Sequence, residues 1–186
     1  NIFMDITGQI LVSMPSLQDE RFHRTVIYIC AHSKEGSMGI IINKKIDHDF
    51  YPGLLKQLGI ENSVKDKKIL IRYGGPVESE RGFILHSDDF LHKESLFIDK
   101  GIALTSTLEF FDNLSLGKGP KHSILALGYA GWGEGQLEEE IKANSWMITP
   151  IDSNFIFDEE VSSKWDKAYK LIGVDPFSVS HNSGRA

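Results

Sequence analysis

Between positions 86 and 94 the sequence gathers His86, Asp88, Asp89, His92 and Glu94, two imidazoles and three carboxylates within nine positions. Side chains of these types ligate transition metals and hard cations. The spacing argues otherwise, matching neither H-E-x-x-H nor an EF-hand loop, and polar loops collect such residues without binding anything. No metal is therefore expected there.

A second concentration of chemistry lies in GYAGWGEGQLEEEIKANSW, positions 128 to 146. Glycines at 131, 133 and 135 before a run of helix formers have the look of a phosphate cradle, because free N–H groups and the positive end of a helix dipole attract anions. Glu134, Glu138, Glu139 and Glu140 would repel a phosphate at that place. The G-x-G-x-x-G pattern also fails, since the third glycine after Gly133 and Gly135 falls at Glu138, and no P-loop lysine follows. No nucleotide or other cofactor is expected. The glycines instead supply positive φ and let Trp132 fold back over a sheet.

Hydrolysis needs a nucleophile or an activated water, a base and an oxyanion site. His86 with Glu134 or Glu140 could serve as base and orienter, with Asn43 or the amides of Gly74 and Gly75 facing the oxyanion. No G-x-S-x-G elbow occurs. Cys30 sits in TVIYICA, an apolar run that reads as a strand buried on both faces, where a thiol is inert. The candidate functional surface is accordingly Asn43, Gly74, Gly75, Pro76, His86, Gly131, Trp132, Gly133, Gln136 and Glu140.

The elements that would position these residues follow from period and punctuation. Gln9 to Met14 reads as a strand closed by Pro15, and 16 to 24 as a loop. Two β-branched runs joined through 32 to 37 make a hairpin, with Asn43 at its exit placed to cap backbone. A helix is predicted over 47 to 59 on Leu54, Leu55 and Leu58. Strands follow at 69 to 73, stopped by Gly74-Gly75-Pro76, and at 82 to 86. Another hairpin turns at Asp99-Lys100-Gly101. Thr105 or Ser106 is read as the cap of a helix that turns Leu108, Phe111 and Leu114 to the core.

The apolar run 124 to 127 is a strand that ends at Tyr129. The helix over 136 to 144 sets Leu137 and Ile141 on one face and pairs Glu138 with Lys142. Strands at 146 to 148 and 154 to 157 come next, then a helix carrying Trp165, Ala168, Tyr169 and Ile172 up to Gly173, with a partly ordered tail from 174. Strands outnumber helices and many are consecutive. The pattern predicts an α+β fold, a mixed or antiparallel sheet with three or four helices over it, rather than strict strand–helix alternation.

The chain has 186 residues, 41% hydrophobic and 25% charged, enough to bury roughly 70% of its unfolded surface in a single domain. Its net charge of −6 disfavours modes in which a broad basic face neutralises nucleic acid or an anionic membrane. One cysteine excludes an internal disulfide and fits a reducing compartment. No apolar stretch approaches the roughly 20 residues of a spanning helix. The segment 9 to 14 is too short for a secretion leader, so a cytoplasmic location is expected.

Four segments taken together resemble one family, the AlgH/YqgE proteins of bacteria: GQILVSMPSLQDERFHRTVIYICAHSKEGSMGIIIN (8 to 43), GGPVESERGFILH (74 to 86), the 128 to 146 stretch, and the helix around Trp165 with its Gly173-Val174-Asp175 exit. The resemblance spans nearly the whole chain in the family's order, whereas 47 to 68 and 89 to 121 carry little of the pattern. It implies a single domain with a curled, barrel-like mixed sheet surrounded by helices. The family's functional label, a transcriptional regulator of alginate production, brings no catalytic residues to carry over.

Three classes of function remain. A hydrolase would use the cleft near His86 and the Gly131–Gly135 corner. Direct DNA binding has the wrong charge and neither a helix-turn-helix nor a zinc-finger spacing. A non-catalytic binding or adaptor protein, with a protein or small molecule as its partner, is favoured: Trp132 beside Gln136 and an acidic helix has the composition of a recognition surface.

Overall fold

A computed structural model describes residues 4–17, 19–46, 70–158 and 160–173. Among the described residues nine strands form one sheet: β1 (Gln9–Ser13), β2 (Val26–Ser33), β3 (Gly36–Ile41), β4 (Leu70–Tyr73), β5 (Val77–Ser87), β6 (Leu96–Asp99), β7 (Ile102–Thr105), β8 (Ser123–Trp132) and β9 (Trp146–Pro150). Their spatial order is β6-β7-β5-β8-β3-β2-β1-β9, with β4 paired to β8 off this path. The β4–β8 pair is parallel and the others are antiparallel. Four α-helices among the described residues accompany them: α1 (Leu108–Ser115), α2 (Gln136–Lys142), α3 (Ser153–Phe157) and α4 (Lys164–Ile172). The α+β architecture with a curled mixed sheet is thus as the sequence predicts. The helix expected over 47 to 59 and the tail from 174 lie outside the described residues.

Strand β2 shows why the sheet is covered on both faces. Val26, Tyr28 and Cys30 belong to one buried cluster with Trp165 and Tyr169 of α4, whereas Ile27 and Ile29 belong to another with Trp132, Leu137 and Trp146. Alternate residues of a strand point to opposite faces, so an unbroken apolar run is what a doubly covered strand requires. Each fully buried aliphatic side chain contributes about 2 kcal/mol. Helix α4 is fixed by two donors on one carbonyl: Trp165 Nε1 and Tyr169 Oη reach Ser13 O at 2.9 and 3.1 Å.

Strand β8 does not end at Tyr129 but runs on to Trp132. Its first half pairs with β4 and β5, and Ala130, Gly131 and Trp132 pair with Gly39, Met38 and Ser37 of β3. Between the halves Gly128 has φ 78°. Glycine adopts that angle without steric cost, so one strand bends and serves both ends of the sheet. The turn expected at Tyr129 therefore begins three residues later.

Three other expectations are corrected. Residues 154–157 lie in helix α3, not a strand, because Asp152 accepts from Phe155 N at 3.1 Å and caps a helix start. Helix α1 is capped by Thr107 rather than Thr105 or Ser106, and the shift turns Leu108 outward, 70% exposed, with Phe110 and Phe111 inside. Lys142 lies 4.0 Å from Glu139, not paired with Glu138, which faces His32. The 16–24 loop contains one 3-10 turn, Glu20–Phe22.

Candidate functional site

The glycine turn after β8 brings four of the predicted surface residues together. Gln136 Oε1 accepts from Gly133 N at 3.0 Å and closes the turn, and Gly135, at φ 72°, is the residue from which α2 starts. Helix α2 then buries Leu137 and turns Glu140 towards two indoles: Trp132 Nε1 and Trp146 Nε1 reach Glu140 Oε1 at 3.2 and 3.0 Å. Trp132 is only 7% exposed. The expected aromatic anchor is a core residue, and Glu140 satisfies its single donor.

The remaining candidates hold the fold from other positions. Asn43 accepts from Val26 N and donates to Arg24 O, both at 2.9 Å, so its amide caps backbone. Gly74 and Gly75 are buried against β8: a Cβ on either would overlap the backbone of Gly128 or Tyr129, and Pro76 leads from there into β5. Gly131 is exposed, and the nearest part of the first corner is the Val77 side chain. The first corner therefore lies in backbone contact with Gly128 to Ala130 of β8, just before the second corner, which it approaches only through Val77.

His86 is elsewhere. It pairs with Ser123 at the start of β8, at the opposite end of that strand from Trp132. Its ring nitrogens bond neither Glu134 nor Glu140. Ser87 O lies 2.8 Å from Nδ1 and Thr105 Oγ1 2.8 Å from Nε2, and Ser95 Oγ is 2.6 Å from Thr105 Oγ1. A carbonyl only accepts, so Nδ1 carries the proton and Nε2 accepts from Thr105. Burial holds the ring's pKa below its usual value.

The other members of the 86–94 cluster diverge too. His92 Nε2 pairs with Glu109 Oε2 at 2.8 Å, Asp88 accepts from Gly101 N, and Asp89 accepts from Lys121 N. Among the described residues no group of three or more His, Cys, Asp or Glu is placed to hold a metal. Cys30 is fully enclosed and burial pushes its thiol pKa up, which leaves it inert. A shallow groove of about 560 Å³ is lined by Pro150, Asp152, Phe155, Asp158 and Leu171 among others.

One constellation was not anticipated. His32 and Ser37 face each other across the β2–β3 hairpin, and Ser37 faces Trp132 of β8. Directly opposed residues share a face of the sheet, so His32, Ser37 and Trp132 form a row. Helix α2 packs over that face through Leu137. Ser37 Oγ lies 2.6 Å from His32 Nδ1, and Glu138 Oε1 lies 3.1 Å from His32 Nε2. The signal was present in the sequence: a two-residue turn at Lys34-Glu35 makes opposed positions add to the same total, which sets 32 against 37.

The curled sheet with a doubly covered β2, a bent β8 and a tryptophan-bearing glycine turn before an acidic helix defines a recognisable class. A family model described as AlgH-like matches residues 10–177, and the chain belongs to that family. It is 46% identical to a UPF0301 protein of Rhodopseudomonas palustris, over 97% of this chain and 89% of that one. It is 48% identical to another from Methylobacterium nodulans, over 97% and 90%. The solution structure of the AlgH protein from Pseudomonas aeruginosa superposes with a TM-score of 0.77 at 30% identity, covering 94% of each chain. A crystal structure of a Corynebacterium diphtheriae protein shares the fold at 19% identity, TM-score 0.70, over 92% and 89%.

Proposed function

We propose that the chain acts as a binding or adaptor protein that takes an extended segment of a protein partner along the β6 edge of its sheet. The observation that carries this reading is exposed apolar surface at one end of the molecule. Among the described residues strand β6 is the last in the spatial order and has only β7 beside it. Phe97 is 57% and Leu96 46% exposed there, with Leu91 at 54% in the preceding loop and Leu108 at 70% where α1 begins. The His92–Glu109 pair ties that loop to α1, so these side chains belong to one region. An open strand edge offers unpaired backbone groups, and natural proteins usually blunt such edges with charge unless they are used. Apolar side chains on both faces of the edge suit strand addition, in which backbone pairing supplies affinity and side-chain pockets supply selectivity.

A regulatory role exercised through a protein partner needs no basic face, which agrees with a net charge of −6. The hydrolytic reading built on His86 loses support, since both ring nitrogens already have other partners. The test is a photo-crosslinking residue placed at position 97 or, as control, at exposed Lys142, in the full chain in its bacterial host. Capture of a defined protein from position 97 alone, abolished by Leu96→Lys, supports the reading. Identical products from both positions, or none from 97, would remove it.

A further inference from the structure

We propose that Ser37, His32 and Glu138 form an acyl-transfer site acting on small, uncharged carboxylic esters. Ser37 is the nucleophile, His32 its base and Glu138 the positioning residue that holds the base. In the reactive tautomer His32 carries its proton on Nε2, towards Glu138 Oε1 at 3.1 Å, and presents the lone pair of Nδ1 to the Ser37 hydroxyl at 2.6 Å. Either ring nitrogen can act as base when the other is anchored. Nucleophile within hydrogen-bond reach of base, and base held by a third group, is the general signature of an activated hydroxyl.

Burial and space fit the roles. The His32 side chain is 2% exposed, which protects the base from bulk water, while Ser37 is half-buried and the Glu138 side chain 38% exposed. Beside this row the glycine turn leaves room. A Cβ on Gly135 would meet nothing within 4 Å, and one on Gly133 only the end of Gln136, at 4.0 Å. Two further glycines of the same run thus border open space next to the strand residue paired with Ser37.

The charges restrict the substrate. Hydrogen bonds from Thr7 hold the Asp5 carboxyl pKa below its usual value, and the nearby His32 ring adds to the lowering. With Glu134, Glu138 and Glu139 around the same turn, an anionic acyl group would be repelled. Neutral esters remain.

In the first step Ser37 Oγ bonds to the acyl carbon and its proton passes to His32 Nδ1. As the carbon–oxygen bond to the leaving alcohol breaks, the alkoxide takes that proton. Water then attacks the acyl-serine with its proton passing to Nδ1, and Ser37 leaves with that proton as the free hydroxyl, releasing the carboxylic acid. Atoms and electrons balance without any added oxidant or metal.

The test exposes the purified full chain to a fluorophosphonate and maps the adduct by mass spectrometry, alongside hydrolysis of p-nitrophenyl acetate. Expected are a single adduct at Ser37, its loss in Ser37→Ala, and a fall of at least ~100-fold in labelling rate for His32→Gln. Glu138→Gln should slow the reaction by about tenfold and change its pH profile, with partial recovery in Glu138→Asp, a pattern a purely structural carboxylate would not give. If His32→Gln does not fold, the half-exposed Glu138 variants carry the test. An unmodified Ser37 in folded protein, or equal rates for wild type and every folded His32 or Glu138 variant, would overturn the proposal.

Discussion

Trp132 and Trp146 meet edge to face, ring centres 6.2 Å apart at 83°, and both direct their indole N–H to the same oxygen of Glu140. The two rings are 7% and 2% exposed, so neither donor has ready access to water. A buried donor left without an acceptor costs about 1–3 kcal/mol, whereas a retained acceptor costs little. Glu140→Ala should therefore lower stability by about 2 kcal/mol or more, and Glu140→Gln, which keeps one acceptor oxygen, by under ~1 kcal/mol. Urea unfolding followed by tryptophan emission reads both. Equal losses in the two variants would mean that charge, not the shared acceptor, matters at this position.

The interlocked backbones of Gly75 and Gly128 make a second prediction. Gly75 has φ 153° and a Cβ there would overlap the Tyr129 carbonyl group, while a Cβ on Gly128 would overlap Gly75 O. Strain and overlap add, so Gly75→Ala should cost at least ~3 kcal/mol. Gly135 is the control, because it shares positive φ but borders open space, and Gly135→Ala should cost only about 1 kcal/mol. Denaturant midpoints of the two variants separate backbone contact from conformational preference alone.

His86 couples stability to pH. Its pKa in the fold is depressed, mainly by burial, against an ordinary value of 6.5. Below about pH 6.5 the unfolded chain takes up a proton that the folded ring resists, so folding loses stability as pH falls through that point. Above it both states are neutral at this site and the full contribution is present. His86→Gln removes the titration. The stability difference between wild type and variant should be largest near pH 8 and shrink steadily towards pH 5. A difference constant across that range would show that the ring does not resist protonation.

The apolar run through Cys30 could only be a doubly covered strand, and the spacing of Trp165, Ala168 and Tyr169 marked one face of a helix that the structure buries. The 154–157 run was too short for its period to distinguish strand from helix, and the cap that decides it, Asp152, lies just outside the run. Local spacing correctly grouped Trp132, Gln136 and Glu140 in one turn-and-helix unit but gave no sign that the indole points inward. His86 and Glu140 were linked only by chemical type, and strand β8 separates them. Ser37 and His32 look like turn residues in the sequence, because a side chain's neighbours in a hairpin depend on register rather than on residue type.

Tyr28 supplies the last prediction. It is fully buried in β2, and among the described residues its hydroxyl has no hydrogen-bond partner. Burial also drives its pKa upward, so the phenol stays protonated and the unmet need is that of a neutral hydroxyl. The ring itself fills core volume between Ile10 and Ile40, its neighbours in the strands on either side. Removing only the oxygen keeps that packing and removes the desolvation cost, unlike truncation to alanine, which opens a cavity. Tyr28→Phe should therefore be as stable as wild type or more stable by about 1 kcal/mol. Tyr28→Leu, losing ring volume as well, should be destabilised. Thermal and urea unfolding of both variants test the pair. A Tyr28→Phe protein that melts below wild type would mean that the hydroxyl is engaged, by ordered water or by a group outside the described residues.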